Sequence, residues 1–208
     1  MSTSWRGRKE PTAGELLLVN WVLVLLRGIP VAIVVFGGLI LHTVLRIFEY
    51  PFLGSRRPLT QYVTQLVCKT SLFLLGISIT VEGFPMKERG AVVANHSSWL
   101  DIFALNATQK IYFVAKSEVA NWPGIGWLAR ATGTVFIQRK ALQAHKQKNI
   151  FTERLLAGHK LLFFPEGTST DSLRVLPFKS SLFAAFFETN VPRNLFIQPV
   201  TVIYHAPM

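Results

Sequence analysis

Between residues 16 and 45 the chain carries one formal charge, Arg27, and no acid. A segment of that composition must be buried in protein or in lipid, which limits the fold more than any other stretch does. A bilayer span needs about 20 apolar residues. Residues 28–45 form an uncharged run close to that length, preceded by a shorter run over 16–26. Pro30 would start a helix comfortably but kinks one already running, and Gly28 weakens the same point. Two helical pieces or one bent helix are therefore expected. Arg6, Arg8 and Lys9 precede the run as they would in a secretory signal, but the run is too long for a signal's apolar region and lacks a clear small-x-small cleavage site. Residues 1–50 accordingly read as a retained membrane anchor. Basic residues flank both ends, with Arg46, Arg56 and Arg57 on the far side. Charge therefore sets no orientation, and a spanning helix and a monotopic helical hairpin both fit.

Residues 51–76 read as an amphipathic connecting helix, in which Gln61, Thr64, Gln65 and Lys69 are interleaved with Tyr62, Val63, Leu66, Val67 and Phe73. From Gly76 the period changes. Strands are expected over residues 77–81, 91–94, 111–115, 134–137, 161–164 and 196–204, and helices over 98–107, 123–131, 141–157 and 178–189. This alternation predicts an α/β domain over residues 77–208, with a mostly parallel sheet flanked by helices. Half of all residues are apolar and 16% are charged, which excludes a disordered chain. The 22 basic against 11 acidic side chains give a net charge of +11, which favours anionic partners without choosing among lipid headgroups, nucleic acid and acidic proteins. Cys68 is the single cysteine and no Cys/His cluster has zinc spacing, so neither a disulfide scaffold nor a structural metal is expected.

Chemistry is concentrated where strands end. Val92 to Asp101 runs from a buried strand into a helix and puts His96 at the strand's carboxyl end, where open α/β sheets bind ligands. With Ser98 as N-cap, Asp101 would point back toward His96, fixing its tautomer and leaving the other ring nitrogen as a general base. Ser98-x-x-Asp101 is equally a capping box. Backbone N–H groups near Ser97 and Ser98 are candidate oxyanion donors. No G-x-S-x-G elbow makes either serine a nucleophile. In Phe163-Phe164-Pro165-Glu166-Gly167-Thr168, a turn at Pro165 and Gly167 accounts for those two residues but not for an acid directly after Leu-Leu-Phe-Phe. Arg139 follows another strand; it could hold a phosphate bidentately or begin a solvated basic helix. Lys116 and Lys179 are similar candidates.

Taken together, His96-x4-Asp101, Phe136-Ile137-x-Arg139, Phe164-Pro165-Glu166-Gly167-Thr168 and the Pro199-containing final strand resemble, in order and spacing, the lysophospholipid acyltransferases. The pattern is most similar to bacterial 1-acyl-sn-glycerol-3-phosphate acyltransferases. The resemblance covers residues 83–204 and implies a glycerolipid-acyltransferase-like fold behind an N-terminal membrane helix. It also implies transfer of a fatty acyl chain to the sn-2 hydroxyl of lysophosphatidic acid from a thioester of acyl carrier protein or coenzyme A, with no other cofactor. By the same resemblance His96 is the base, Asp101 its partner, Glu166, Gly167 and Arg139 bind the glycerol phosphate, and Pro199 shapes the acyl pocket. Thr168 and Lys116 complete the expected acceptor site. Relatives commonly continue beyond a final strand such as this one, so the domain is expected to be short at its C-terminus. The expected setting is the inner membrane, with the site facing the cytoplasm and an anionic bilayer as partner; no nucleic-acid partner and no metal are expected. Lyso-ornithine lipid acyltransferases resemble this pattern too and give the alternative acceptor. Two other classes remain as contrasts, a non-catalytic lipid-binding scaffold and a metal-dependent lipid hydrolase using His96, Asp101 and Glu166 as ligands.

Overall fold

The computed structural model describes residues 18–137, 144–171, 173–180, 183 and 194–205. Helix α1 spans Leu18–Leu53 without a break, with Pro30 and Pro51 inside it. Of the two forms expected, two helical pieces or one bent helix, the chain takes the single helix, which runs past residue 50. At 1.5 Å per residue it is about 54 Å long, well beyond the apolar thickness of a bilayer. It is the one candidate membrane span among the described residues, and its apolar side chains, including Ile29, Ile33, Ile40 and Phe48, are largely exposed.

Helix α2, Thr60–Leu75, packs against α1 as an antiparallel hairpin. A Cβ at Gly38 would overlap Val67, so glycine sets how closely the two helices approach. The charges of α1 close the hairpin at both ends. Arg27 donates to the Leu75 carbonyl at 3.0 Å, one of the last carbonyls of α2. Arg46 donates to the carbonyls of Gly54 and Arg56 and meets Glu49 at 3.4 Å. Glu49 in turn accepts from the Leu59 N–H and the Thr60 hydroxyl, both at 2.8 Å.

The remaining elements are β1 (Gly90–Ala94), α3 (Leu100–Thr108), β2 (Tyr112–Lys116), α4 (Ile125–Ala131), β3 (Val135–Ile137), α5 (Ala144–Leu156), β4 (Lys160–Phe163) and β5 (Phe196–Val200), with a 3-10 turn at Ser117–Asn121. The strands form one parallel sheet in the order β3-β2-β4-β1-β5. Alternation along β1 and β4 divides the core. Ala91, Leu161 and Phe163 face Phe151 and Leu155 of α5, while Val92, Ala94 and Leu162 face Leu105 of α3. Burial on both faces explains why these strands read as unbroken apolar runs.

Two expected strands differ. Residues 77–81 form no strand: Ile77 packs on Cys68, Leu72 and Ala107 between α2 and α3, and Ile79 and Val81 are exposed. The final strand stops at Val200 and not at Tyr204, because its neighbour β1 ends at Ala94. The helix expected over 178–189 lies largely outside the described residues.

The buried charge in this fold has a pH signature. His159 is 6% exposed and stacks on Tyr112 at 4.1 Å. Burial, reinforced by Arg154, Arg57 and Arg46, pushes its imidazole down to about 3 from an ordinary 6.5. Between those values the unfolded chain binds the extra proton, so stability is full above about pH 6.5 and falls as the pH drops toward about 3. Unfolding midpoints measured from about pH 7.5 down to about pH 5 should decline, and His159→Gln should flatten that slope. An unchanged slope in the variant would refute the assignment.

Candidate active site

Strands β1 and β4 are neighbours, with Val93 opposite Phe163, so the loops after them emerge side by side. The first residue past β1, Asn95, replaces strand pairing with its side chain. Its Oδ1 accepts from the Val202 N–H at 2.7 Å and its Nδ2 donates to the Val202 carbonyl at 2.9 Å. His96 follows, its ring stacked on Phe164 with centroids 4.0 Å apart and planes 11° from parallel. The His96 carbonyl accepts from the Thr170 N–H at 2.8 Å, which ties the two motif loops together through backbone.

Helix α3 begins at Leu100, with Trp99 and not Ser98 in the N-cap position. The Ser98 hydroxyl accepts from the Leu100 N–H at 3.2 Å. Asp101 lies in the first turn and is fully buried, and its carboxylate reaches back over the helix start. Oδ2 accepts from His96 Nδ1 at 2.7 Å, the Ser97 N–H at 2.7 Å and the Ser98 N–H at 3.0 Å; Oδ1 accepts from the Tyr204 hydroxyl at 2.6 Å. One carboxylate thus bonds both the His96 ring and the amides ahead of the helix, although Ser98 is not the N-cap that the capping box requires. The Ser97 and Ser98 N–H groups are consumed in this way, so they are not the oxyanion donors expected of them.

Burial alone would push the Asp101 carboxyl up. Hydrogen bonds from His96, Tyr204 and the Ser98 and Ser97 amides outweigh it and hold the group below its ordinary value. Burial and the adjacent carboxylate push the Tyr204 phenol well up, so it stays a donor. An ionised carboxylate only accepts, so Nδ1 of His96 carries a proton and Nε2 is the ring nitrogen left outside this contact.

The imidazole lines a cleft of about 1270 Å³. Gly167, Thr168, Lys116 and Lys179 share its wall with His96. Much of the rest is apolar and comes from both units of the fold, including Val35 and Leu39 of α1, Val67 of α2, and Trp99, Phe103 and Phe164. Helix α1 is thus also part of the cleft. Glu166 is buried and is not part of this wall; its Oε2 accepts from the Leu176 N–H at 3.0 Å and closes the loop after the turn. The Lys179 N–H donates to the Pro165 carbonyl at 2.8 Å, which brings that lysine back to the same turn. Pro199 sits on the exposed edge strand β5 opposite Val93, away from the cleft wall. Arg139 lies outside the described residues. Among the described residues no cluster of three or more metal-ligating side chains occurs.

Sequence reasoning missed Tyr204 and the Asn95–Val202 clamp that presents it. The contacts span 103 and 107 positions, and no local pattern announces either.

A family model described as Acyltransferase matches residues 78–203. The lyso-ornithine lipid O-acyltransferase of Rhodobacter capsulatus is 51% identical over 203 residues, covering 98% of this chain and 74% of that protein. The 1-acyl-sn-glycerol-3-phosphate acyltransferase of Neisseria gonorrhoeae is 40% identical over 119 residues, covering 55% of this chain and 46% of that protein. In fold, the chain is similar to the crystal structure of the 1-acyl-sn-glycerophosphate (LPA) acyltransferase PlsC from Thermotoga maritima, with a TM-score of 0.59 at 24% identity over 88% of this chain and 83% of the other. A family model spanning most of the α/β domain, together with a relative half identical along nearly the whole chain, shows that the chain belongs to the acyltransferase family.

Proposed function

We propose that this protein is a membrane-attached lysolipid O-acyltransferase that takes its acyl group from a thioester of acyl carrier protein or coenzyme A, with lyso-ornithine lipid as the preferred acceptor. The observation that carries the chemistry is the 2.7 Å contact of His96 with a buried carboxylate, beside a largely apolar cleft. The acceptor rests on similarity along nearly the full chain to the Rhodobacter capsulatus protein of that name. This reverses the order of acceptors that the motifs alone suggested. The second reading, lysophosphatidic acid, is supported by the shorter similarity to the Neisseria gonorrhoeae protein.

In this mechanism Nε2 of His96 removes the proton of the acceptor hydroxyl as its oxygen attacks the thioester carbonyl carbon. An alcohol is almost wholly protonated near neutral pH, so the base is needed at this step. The imidazolium is stabilised by Asp101, which holds its charge because four hydrogen bonds offset its burial. Collapse of the tetrahedral intermediate breaks the C–S bond, and the imidazolium proton passes to the leaving sulfur. The thioester is already activated, so no covalent enzyme intermediate is required. Negative charge on the intermediate falls to other donors of the cleft, Thr168, Lys116 and Lys179.

The cleft carries charges of both signs, Lys116 and Lys179 with Glu118. An ornithine headgroup offers a carboxylate and an ammonium to such a site, whereas a phosphate monoester offers negative charge alone. The exposed apolar surface of α1 supports attachment to the inner membrane, with the cleft on the cytoplasmic side where both thioesters are found.

With purified protein, several lysolipids and both thioester donors read by lipid mass spectrometry, lyso-ornithine lipid should be acylated faster than lysophosphatidic acid. The opposite preference, joined to a raised acceptor KM in Arg139→Ala, would select the second reading. His96→Ala should lower turnover about 10²–10⁴-fold while leaving membrane association intact, and near-normal turnover in the folded variant would exclude the mechanism. Asp101→Asn should fall nearly as far. Tyr204→Phe should lower kcat about tenfold with both KM values unchanged. Without the phenol the carboxylate holds the imidazolium more tightly, so the acid limb of the rate profile should move to higher pH. A tyrosine that serves only packing would leave that limb in place.

A further inference from the structure

A second concentration of charge, half-buried, lies where the α1–α2 hairpin meets the sheet, and the mechanism uses none of it. Arg46 pairs with Glu49, but among the described residues neither Arg57 nor Arg154 forms an ion pair. Arg57 donates to the Ala131 carbonyl at 2.6 Å and Arg154 to the Gly133 carbonyl. Both guanidiniums press on Gly133, where an added Cβ would come within 2.9 Å of each. Burial, then Arg154 and Arg46, pushes the Arg57 guanidinium down to about 10, as expected of a cation crowded by cations.

Beside this cluster is a small polar pocket lined by His42, Arg57, Gln61, Gln65, Asn106 and Lys110, and no acid lines it. Its enclosed part has room for about one oxygen-sized atom. Two buried nitrogens of these lining residues, Arg57 Nε and His42 Nδ1, have no hydrogen-bond partner, and His42 is 4% exposed. The Lys110 ammonium is held 3.3 Å from the centre of the Tyr62 ring rather than by a carboxylate. A buried N–H left unpaired is costly, and a half-buried guanidinium without an ion pair adds to that cost. Both costs are met by a ligand that accepts hydrogen bonds and carries negative charge.

We propose that this pocket binds an oxyanion group, a phosphate, with one oxygen taken by Arg57 Nε and His42 Nδ1 and the others held at the mouth by Lys110, Gln61 and Gln65. The phosphate of an anionic bilayer lipid and free inorganic phosphate share this chemistry. His42 and Asn106 also line the reaction cleft, so a bound anion would brace the hairpin against the domain where the cleft wall is built.

The test uses the full chain in neutral detergent, with the unfolding midpoint followed in phosphate against chloride at equal ionic strength. Phosphate at about a hundred times its Kd should raise the midpoint by about 5 °C. Gln61→Glu places a carboxylate at the mouth; it should raise the midpoint in chloride and abolish the phosphate response. Lys110→Gln should weaken the response, whereas Lys87→Gln removes the same charge from an exposed loop and should keep it. Nanodiscs of phosphatidylcholine with and without phosphatidic acid separate the two sources. Stabilisation by phosphatidic acid that Gln61→Glu abolishes identifies a lipid, and stabilisation by inorganic phosphate alone identifies the free ion. No shift beyond chloride, an undiminished shift in Gln61→Glu, or equal losses in Lys110→Gln and Lys87→Gln would each overturn the proposal. None of the substituted residues, Gln61, Lys110 and Lys87, lines the His96 cleft, so failure here leaves the acyl-transfer reading untouched.

Discussion

The Asp101 carboxylate is the point on which the site depends. It is wholly buried, and an unpaired charge at that depth would be prohibitively unfavourable. Four donors make it tolerable, three from the loop between β1 and α3 and one from the segment beyond β5. The same hydrogen bonds that permit the charge fix the imidazole, the entry angle of α3 and the course of the chain at Tyr204. The contacts that make the buried charge tolerable are thus the same ones that orient the His96 ring.

The sheet order makes this arrangement possible. Because every strand is parallel, all carboxyl ends lie along one edge, and because β4 inserts between β2 and β1, the two motif loops become neighbours despite their separation in sequence. The stacking of His96 on Phe164 and the bond from Thr170 to the His96 carbonyl then lock the loops together. Glu166 acts inside its own loop, which positions Gly167, Thr168 and Lys179 around the cleft.

The hairpin is more than an attachment. Its helix α1 presents an apolar surface outward, while Val35, Leu39 and His42 help to wall the cleft. On the proposed reading, this apolar wall offers a lipid acceptor a route toward His96. The few charges in the hairpin are spent on carbonyls and on Glu49, which explains how arginines persist in so apolar a segment.

Much of this was legible in the sequence, because the relevant physics is local. The apolar run, the shift from helical to strand periodicity, and the placing of His96 and Asp101 within one strand-to-helix turn all act over a few residues. The helix end at Gly76 was equally plain, with its left-handed backbone at φ 75°. What local pattern could not convey was whether a proline splits a helix that neighbours hold together, or whether residues 77–81 find a strand to pair with. Nor could it show that Ser97 and Ser98 would give their amides to Asp101, or that Tyr204 would close the carboxylate's last lone pair. Those outcomes depend on which groups meet across a hundred residues or more, and a carboxylate's charge state is set by the donors that surround it in space. The sequence by itself determined the long apolar helix, the α/β domain and the closeness of His96 to Asp101; the tertiary structure decided how those two side chains are held, because burial and long-range hydrogen bonds exist only once the chain has folded.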